Sequence, residues 1–237
     1  MALIIAVWGV APGIGKSTLC RRLAEQLSVG GRVDHFAEED VLSRPEFAAV
    51  ATEFRADRRV DLDTLVDATA RYAESARGFD ISVADALLPY VPTALAMGHS
   101  DAVVTDFCLR LREALAGVPG ILVFLDGDPR IALRRAADRE GPRWLDWYVE
   151  KLAGYGVEPR VTDVESAIAY LRRERTVLFE AAATLGWGTV TVDAGTELDA
   201  DQILANAIAA LAGTTGRIST TNDNDRETVC WPDLGRN

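Results

Sequence analysis

Gly13-Ile14-Gly15-Lys16-Ser17-Thr18 stands between an apolar run, Ala2–Trp8, and a segment with Leu19, Leu23 and Leu27 at helical spacing. A buried strand that enters a glycine turn and leaves it as an amphipathic helix has few folds open to it. Glycines let successive backbone N–H groups point inward, and a helix starting near Lys16 adds the positive end of its dipole. The unit predicts a phosphate-binding loop formed by Pro12, Gly13, Ile14, Gly15, Lys16, Ser17 and Thr18. In such a loop Lys16 reaches the β- and γ-phosphates of ATP, and the Ser17 hydroxyl ligates Mg²⁺. The usual pattern has a glycine six residues before the lysine; here Val10 takes that position and Gly9 comes one step earlier. The loop is therefore expected to be one residue longer or to enter at a different angle.

Beyond this unit, short β runs alternate with helical ones. Strands are expected over Val33–Ala37, Asp80–Ala84, Gly120–Leu125 and Thr189–Asp193. Helices are expected over Lys16–Ser28, about Arg44–Arg55, Leu62–Ala76, Asp101–Leu115, Trp144–Gly154, Asp163–Leu185 and Ala200–Leu211. Asp128-Pro129 reads as an N-cap and first-turn proline of a further helix, and Pro89 and Pro92 interrupt the chain. This alternation predicts an α/β domain over residues 1–212, a five-stranded parallel sheet flanked by helices, with a helical lid region at about 129–186. Residues 213–237 are rich in Thr, Asn, Asp and Gly without apolar period, and are expected to form a disordered tail. Val103-Val104-Thr105-Asp106 imitates a strand ending in a metal-binding aspartate, but Val104, Phe107, Cys108, Leu111 and Leu115 continue it as a helix. Asp106 is therefore set aside.

Charge narrows the function. The 237 residues carry a formal net charge of −11, which opposes nucleic-acid binding, since that needs a basic surface. With 49% hydrophobic residues the chain can build a full core. Cys20, Cys108 and Cys230 form no CxxC pair, so neither a zinc site nor a disulfide framework is expected, and the first two read as core residues. No run is long enough to span a membrane, and the expected address is the cytoplasm.

Phosphoryl transfer needs a carboxylate for Mg²⁺ and often another to take the acceptor's proton. Asp85 ends the third strand and Glu38-Glu39-Asp40 ends the second, where a parallel sheet opens its site. Asp85 is thus the candidate partner of Ser17 at the metal, and Glu39 or Asp40 the candidate base. Arg139 and Arg143, flanking Gly141-Pro142, are the candidates to close over the transferring group. His35 reads as a packed strand residue, and Trp144, Trp147 and Trp187 as core anchors.

The order of these parts resembles the P-loop kinase group that holds thymidylate kinases and deoxynucleoside kinases. Ile121 to Pro129, followed by Ile131-Ala132-Leu133-Arg134-Arg135 and Arg139, looks like that group's fourth strand and lid helix. Val190 to Ala194 looks like its last strand and adenine-side loop, with Asp193, Ala194 and Gly195 bordering the base. The resemblance implies a strand order of 2-3-1-4-5, an ATP·Mg²⁺ donor and an acceptor bound opposite the lid. The group's arginine-containing triplets after the third strand are missing: Asp85 is followed by Ala86-Leu87. The expected function is an ATP-dependent small-molecule kinase acting on a nucleoside, a nucleotide or a similar metabolite. A nucleotide-dependent switch or ATPase without small-molecule acceptor is the alternative, and a homodimer is left open.

Overall fold

A computed structural model describes residues 2–85, 88–195 and 198–218. The strands are β1 (Leu3–Gly9), β2 (Val33–Phe36), β3 (Ile81–Asp85), β4 (Gly120–Asp126) and β5 (Gly188–Asp193). They form one sheet in the order β2-β3-β1-β4-β5, and every neighbouring pair is parallel. This is the order that the resemblance implied. Burial follows position. All seven residues of central β1 are buried, as a strand covered on both faces requires, whereas β5 at the edge alternates.

Nine α-helices occupy the described residues: α1 (Lys16–Leu27), α2 (Ala48–Asp57), α3 (Leu62–Ala76), α4 (Val91–Ala96), α5 (Asp101–Ala114), α6 (Pro129–Glu140), α7 (Trp144–Tyr155), α8 (Val164–Leu185) and α9 (Ala200–Ile218). α1 and α9 pack together against the sheet, while α3, α5 and α8 pack in a row. Between β4 and β5 the chain makes α6, α7 and α8, the helical elaboration expected there. Cys20 and Cys108 are buried in the core. α5 carries Val103 to Asp106 as a helix, and Asp106 is exposed.

Four expectations need correction. Arg44–Arg55 is not one helix: Pro45–Phe47 makes a 3-10 turn before α2, with proline at its first position. The segment around Pro92 is helical, because a proline in the first turn of α4 removes an N–H that has no partner there anyway. α9 runs on to Ile218, so the tail's first residues continue the helix; residues 219–237 lie outside the described residues. Trp147 is 51% exposed, not a core anchor.

Candidate functional site

Because all five strands are parallel, their carboxyl ends meet along one edge of the sheet. Gly9 ends β1, Asp85 ends β3, and Asp126 and Asp193, opposite one another in register, end β4 and β5. The glycine loop rises from this edge. Val10 is buried and its N–H donates to the Leu125 carbonyl at 3.0 Å, so the residue in the place of the usual glycine prolongs the β1–β4 seam. Gly13 has φ +84°, and a Cβ there would lie 2.9 Å from the Ala136 nitrogen, closer still to the Ala132 carbonyl. The loop therefore seats directly on the backbone of α6, which only glycine permits.

α1 starts with no side-chain cap and no acidic residue in its first turn. Its first N–H groups and dipole thus face the loop uncompensated, an arrangement suited to an anion. Lys16 sits in the first turn, half-buried, with Nζ 3.5 Å from the Ala11 carbonyl. Burial lowers its pKa, against the opposing pull of Asp85, Glu38 and Glu174, while Arg139 lowers it further. Those interactions gather residues from four elements around one ammonium.

Asp85 is 3% exposed, and its Oδ1 finds no hydrogen-bond partner among the described residues. Burial raises its pKa, while the Ser17 hydroxyl, Lys16 and His35 hold it down. The structure thus brings Ser17 and Asp85 together as the sequence reading expected, with one carboxylate oxygen left over. A buried carboxylate oxygen without a donor suits a cation or its water. No group of three or more His, Cys, Asp or Glu side chains among the described residues could hold a metal alone. Any metal here must draw ligands from elsewhere, as Mg²⁺ does from phosphates and water.

Glu38, Glu39 and Asp40 form the first turn of a 3-10 segment, Glu38–Leu42, straight after β2. Their roles divide. The Asp40 carboxylate accepts the Ala37 N–H at 3.1 Å and lies 3.6 Å from Arg44, so it closes the turn rather than facing the loop. Glu38 interacts with Lys16, Asp85 and Lys151, and burial raises its pKa. Glu39 acts on both Glu38 and Asp85. The turn is fixed from below: Arg44 donates to both Asp34 oxygens at 2.9 and 2.8 Å and to the His35 carbonyl at 2.8 Å. Ser82 donates to Asp34 at 2.9 Å and meets the Tyr72 hydroxyl at 2.5 Å. The guanidinium also lies 4.5 Å over the Phe36 ring.

The arginines at the end of α6 and the start of α7 separate as well. Arg139, exposed at the end of α6, reaches Lys16 electrostatically and bonds Glu140 at 2.7 Å. Arg143 caps the start of α7, exposed, and its guanidinium makes no hydrogen bond or ion pair among the described residues. Asp193, Ala194 and Gly195 follow β5: the Ala194 N–H donates to the Asp126 carbonyl at 2.8 Å, and Asp193 accepts from Gly195 at 2.9 Å. A Cβ on Gly127 would lie 3.2 Å from Ile14, so this loop, the β4 end and the glycine loop form one border. Two surface hollows lie elsewhere; one, about 600 Å³, is lined by Glu53, Asp61, His99 and Arg110 among others, and another by Leu95, Ser100 and Arg173 among others.

Glu174 and Lys151 joined this site unannounced by the sequence reading. Glu174, on α8, interacts with Lys16 and with the Tyr170 hydroxyl, and burial pushes its pKa up to about 7. Tyr148 of α7 faces the same carboxyl and stacks on Trp144 at 5.1 Å. A signal was present: Ala167, Leu171, Leu178, Ala181 and Leu185 mark the buried stripe of α8, and Glu174 falls on that stripe.

No protein-family model matches the chain, and no curated protein matches it in sequence. Among solved structures, it is similar to a DUF1611 family protein from Anabaena variabilis, at 15% identity and a TM-score of 0.29. That match covers 88% of this chain and 57% of the other, so the chain spans little more than half of that protein's length. At such a TM-score the likeness bears on neither fold nor chemistry. No helix among the described residues is long and apolar enough to cross a membrane.

Proposed function

We propose that this chain is an ATP-dependent phosphotransferase of the P-loop kinase type that passes the γ-phosphoryl group to a small molecule. The observation that carries the reading is the uncapped start of α1 with Lys16 in its first turn, beside the buried Asp85 and Ser17. Backbone N–H groups of residues 12–18 and the Lys16 ammonium receive the phosphates. Ser17 and Asp85 would hold Mg²⁺, a role that suits the unpartnered Asp85 Oδ1, and the ion would supply charge neutralisation between phosphates. The Asp193–Gly195 loop borders the adenine.

The acceptor lies between the Glu38–Glu39 turn and the α6–α7 side. Its hydroxyl oxygen forms the new bond to phosphorus, the β–γ bridging bond breaks, and ADP leaves with that electron pair. The hydroxyl proton passes to a carboxylate of the Glu38–Glu39 turn, where the raised proton affinity of Glu38 favours its acting as base. Arg139 stabilises charge on the equatorial oxygens.

ADP release from ATP·Mg²⁺, with and without nucleosides, nucleoside monophosphates, sugars and amine-bearing polyols, tests the reading. One acceptor class should stimulate release, and Lys16→Ala should cut the stimulated rate by about 10²- to 10³-fold. Slow turnover that needs Lys16 but no acceptor favours a nucleotide-dependent switch instead. The exposed Trp147 and Tyr155 on α7 would then serve as partner surface.

A further inference from the structure

Arg175 stands apart from its neighbours in the basic run of α8. Arg172 is exposed, and Arg173 turns to Asp101 and the Glu158 carbonyl. Arg175 turns instead to the sheet, where it donates to Asp126 at 2.9 Å at the end of β4. Its guanidinium lies 5.3 Å from the centre of the Phe124 ring and 5.0 Å from that of Phe179, one turn further along α8. Phe124 shares a face of β4 with Asp126, and the two rings meet nearly edge to face at 5.1 Å. The Arg175 Nε is buried with no hydrogen-bond partner among the described residues, and the ring faces take the place of an acceptor there. A flat cation held by two rings and one carboxylate has few other positions open to it.

Asp126 is in turn a junction. Its Oδ1 accepts the Gly127 N–H at 3.0 Å, its Oδ2 accepts from Arg175, and its carbonyl accepts the Ala194 N–H at 2.8 Å. That last bond is the final rung between β4 and β5. Because β5 is an edge strand, no second neighbour holds the loop that follows it. Asp193 lies opposite Asp126 in register, so two carboxylates project from the same face of strands about 4.8 Å apart. Like charges so placed weaken the pairing. Asp126 has Arg175 as its ion-pair partner, and Asp193 has none among the described residues. A Cβ on Gly127 would lie 3.2 Å from Ile14 and 3.7 Å from the Ala194 carbonyl, so the junction adjoins the glycine loop directly.

We propose that Arg175 is a positioning residue for the nucleotide base: through Asp126 it fixes the Asp193–Gly195 loop beside the glycine loop, so that its loss is felt at the base and not at the phosphates. This rests on the nucleotide-binding part of the phosphotransferase reading above and adds to it the element that orients the base. Arg175 takes no part in the bond changes.

Calorimetric titration of the full chain with ATP·Mg²⁺ and with tripolyphosphate·Mg²⁺, which carries the phosphates without a base, separates the two ends of the site. The unmodified chain should bind ATP more tightly than tripolyphosphate. Removing the pair together, Arg175→Met with Asp126→Asn, leaves the net charge unaltered and an apolar stem against the rings. It should raise Kd for ATP about three- to tenfold, the range for a half-exposed pair, and leave Kd for tripolyphosphate unchanged. Arg175→Lys, which keeps the charge without the flat guanidinium, should lose a smaller part. Lys16→Ala should weaken both ligands. Equal weakening of ATP and tripolyphosphate in the paired variant overturns the proposal, since Arg175 would then be a general support. An unchanged Kd for ATP, or an unmodified chain that binds the two ligands equally, overturns it as well and leaves the phosphate site standing. If the unmodified chain binds neither ligand, the nucleotide reading falls, and hydrogen exchange decides what remains. Faster exchange of the Ala194 amide in the paired variant keeps Arg175 as the residue that fixes the loop; unchanged exchange removes that role.

Discussion

The two ends of the sheet's carboxyl edge are built by different physics. On the β2 side, the acidic turn rests on a buried chain of polar groups, Tyr72–Ser82–Asp34–Arg44, in which both Asp34 oxygens and the guanidinium are satisfied. On the other side, α6 and α7 carry their charges at the surface: Arg139 pairs with its neighbour Glu140, Arg130 with Glu165, and Trp147 and Tyr155 stand exposed around Lys151. Buried, fully paired networks fix one geometry, while exposed pairs contribute little and leave side chains free to move. The first end is preset. The second can follow a ligand.

The largest challenge to this contrast is Arg44→Ala. It leaves the partly buried Asp34 with the Ser82 hydroxyl as its remaining donor, and thermal or denaturant unfolding should show a loss of about 2–3 kcal/mol. A loss below 1 kcal/mol would place the β2 end in the same class as the surface pairs. A pH series on Glu174 probes the second end at its buried root. Its pKa rises on folding from an ordinary 4.5 to about 7, so the folded chain holds more proton than the unfolded chain between those values. Stability should therefore fall as pH rises across that window, by on the order of 2 kcal/mol, and Glu174→Gln should flatten the profile. Arg139→Ala should be the mildest for folding, within about 0.5 kcal/mol, while the stimulated rate drops about tenfold or more. A large stability change there would show that the α6 surface pairs hold that end in place.

Much of the fold was legible because it rests on period and punctuation. The continuous apolar run of β1, the stripe Leu19, Leu23, Leu27 and the Asp128-Pro129 start of α6 each signal their element locally. The glycine turn between β1 and α1 could be read for the same reason, and the Ser17 hydroxyl acts on Asp85. What escaped was set by contacts distant in sequence. Asp40 looked equivalent to Glu38 and Glu39 until Arg44 and the Ala37 N–H occupied it. Glu174 sits in the basic run Arg172-Arg173-Glu174-Arg175, whose charge suggests a surface, and only the packing of α7 over α8 turns it inward. Trp147 was read inward on its aromatic character alone, although the stripe that packs α7 passes through Tyr148 and Leu152.

The stacked Trp144–Tyr148 pair also has an optical consequence. Trp8 and Trp187 are held in the core, at 9% and 7% exposure, and their emission should be insensitive to what enters the site. Trp144 is half-buried and stacked on the ring that faces Glu174. The chain therefore carries its own fluorophore beside the site. Occupancy can be followed by intrinsic emission without any label, with Trp144→Phe and the Trp144→Phe, Trp147→Phe pair showing how much of the change belongs to each ring.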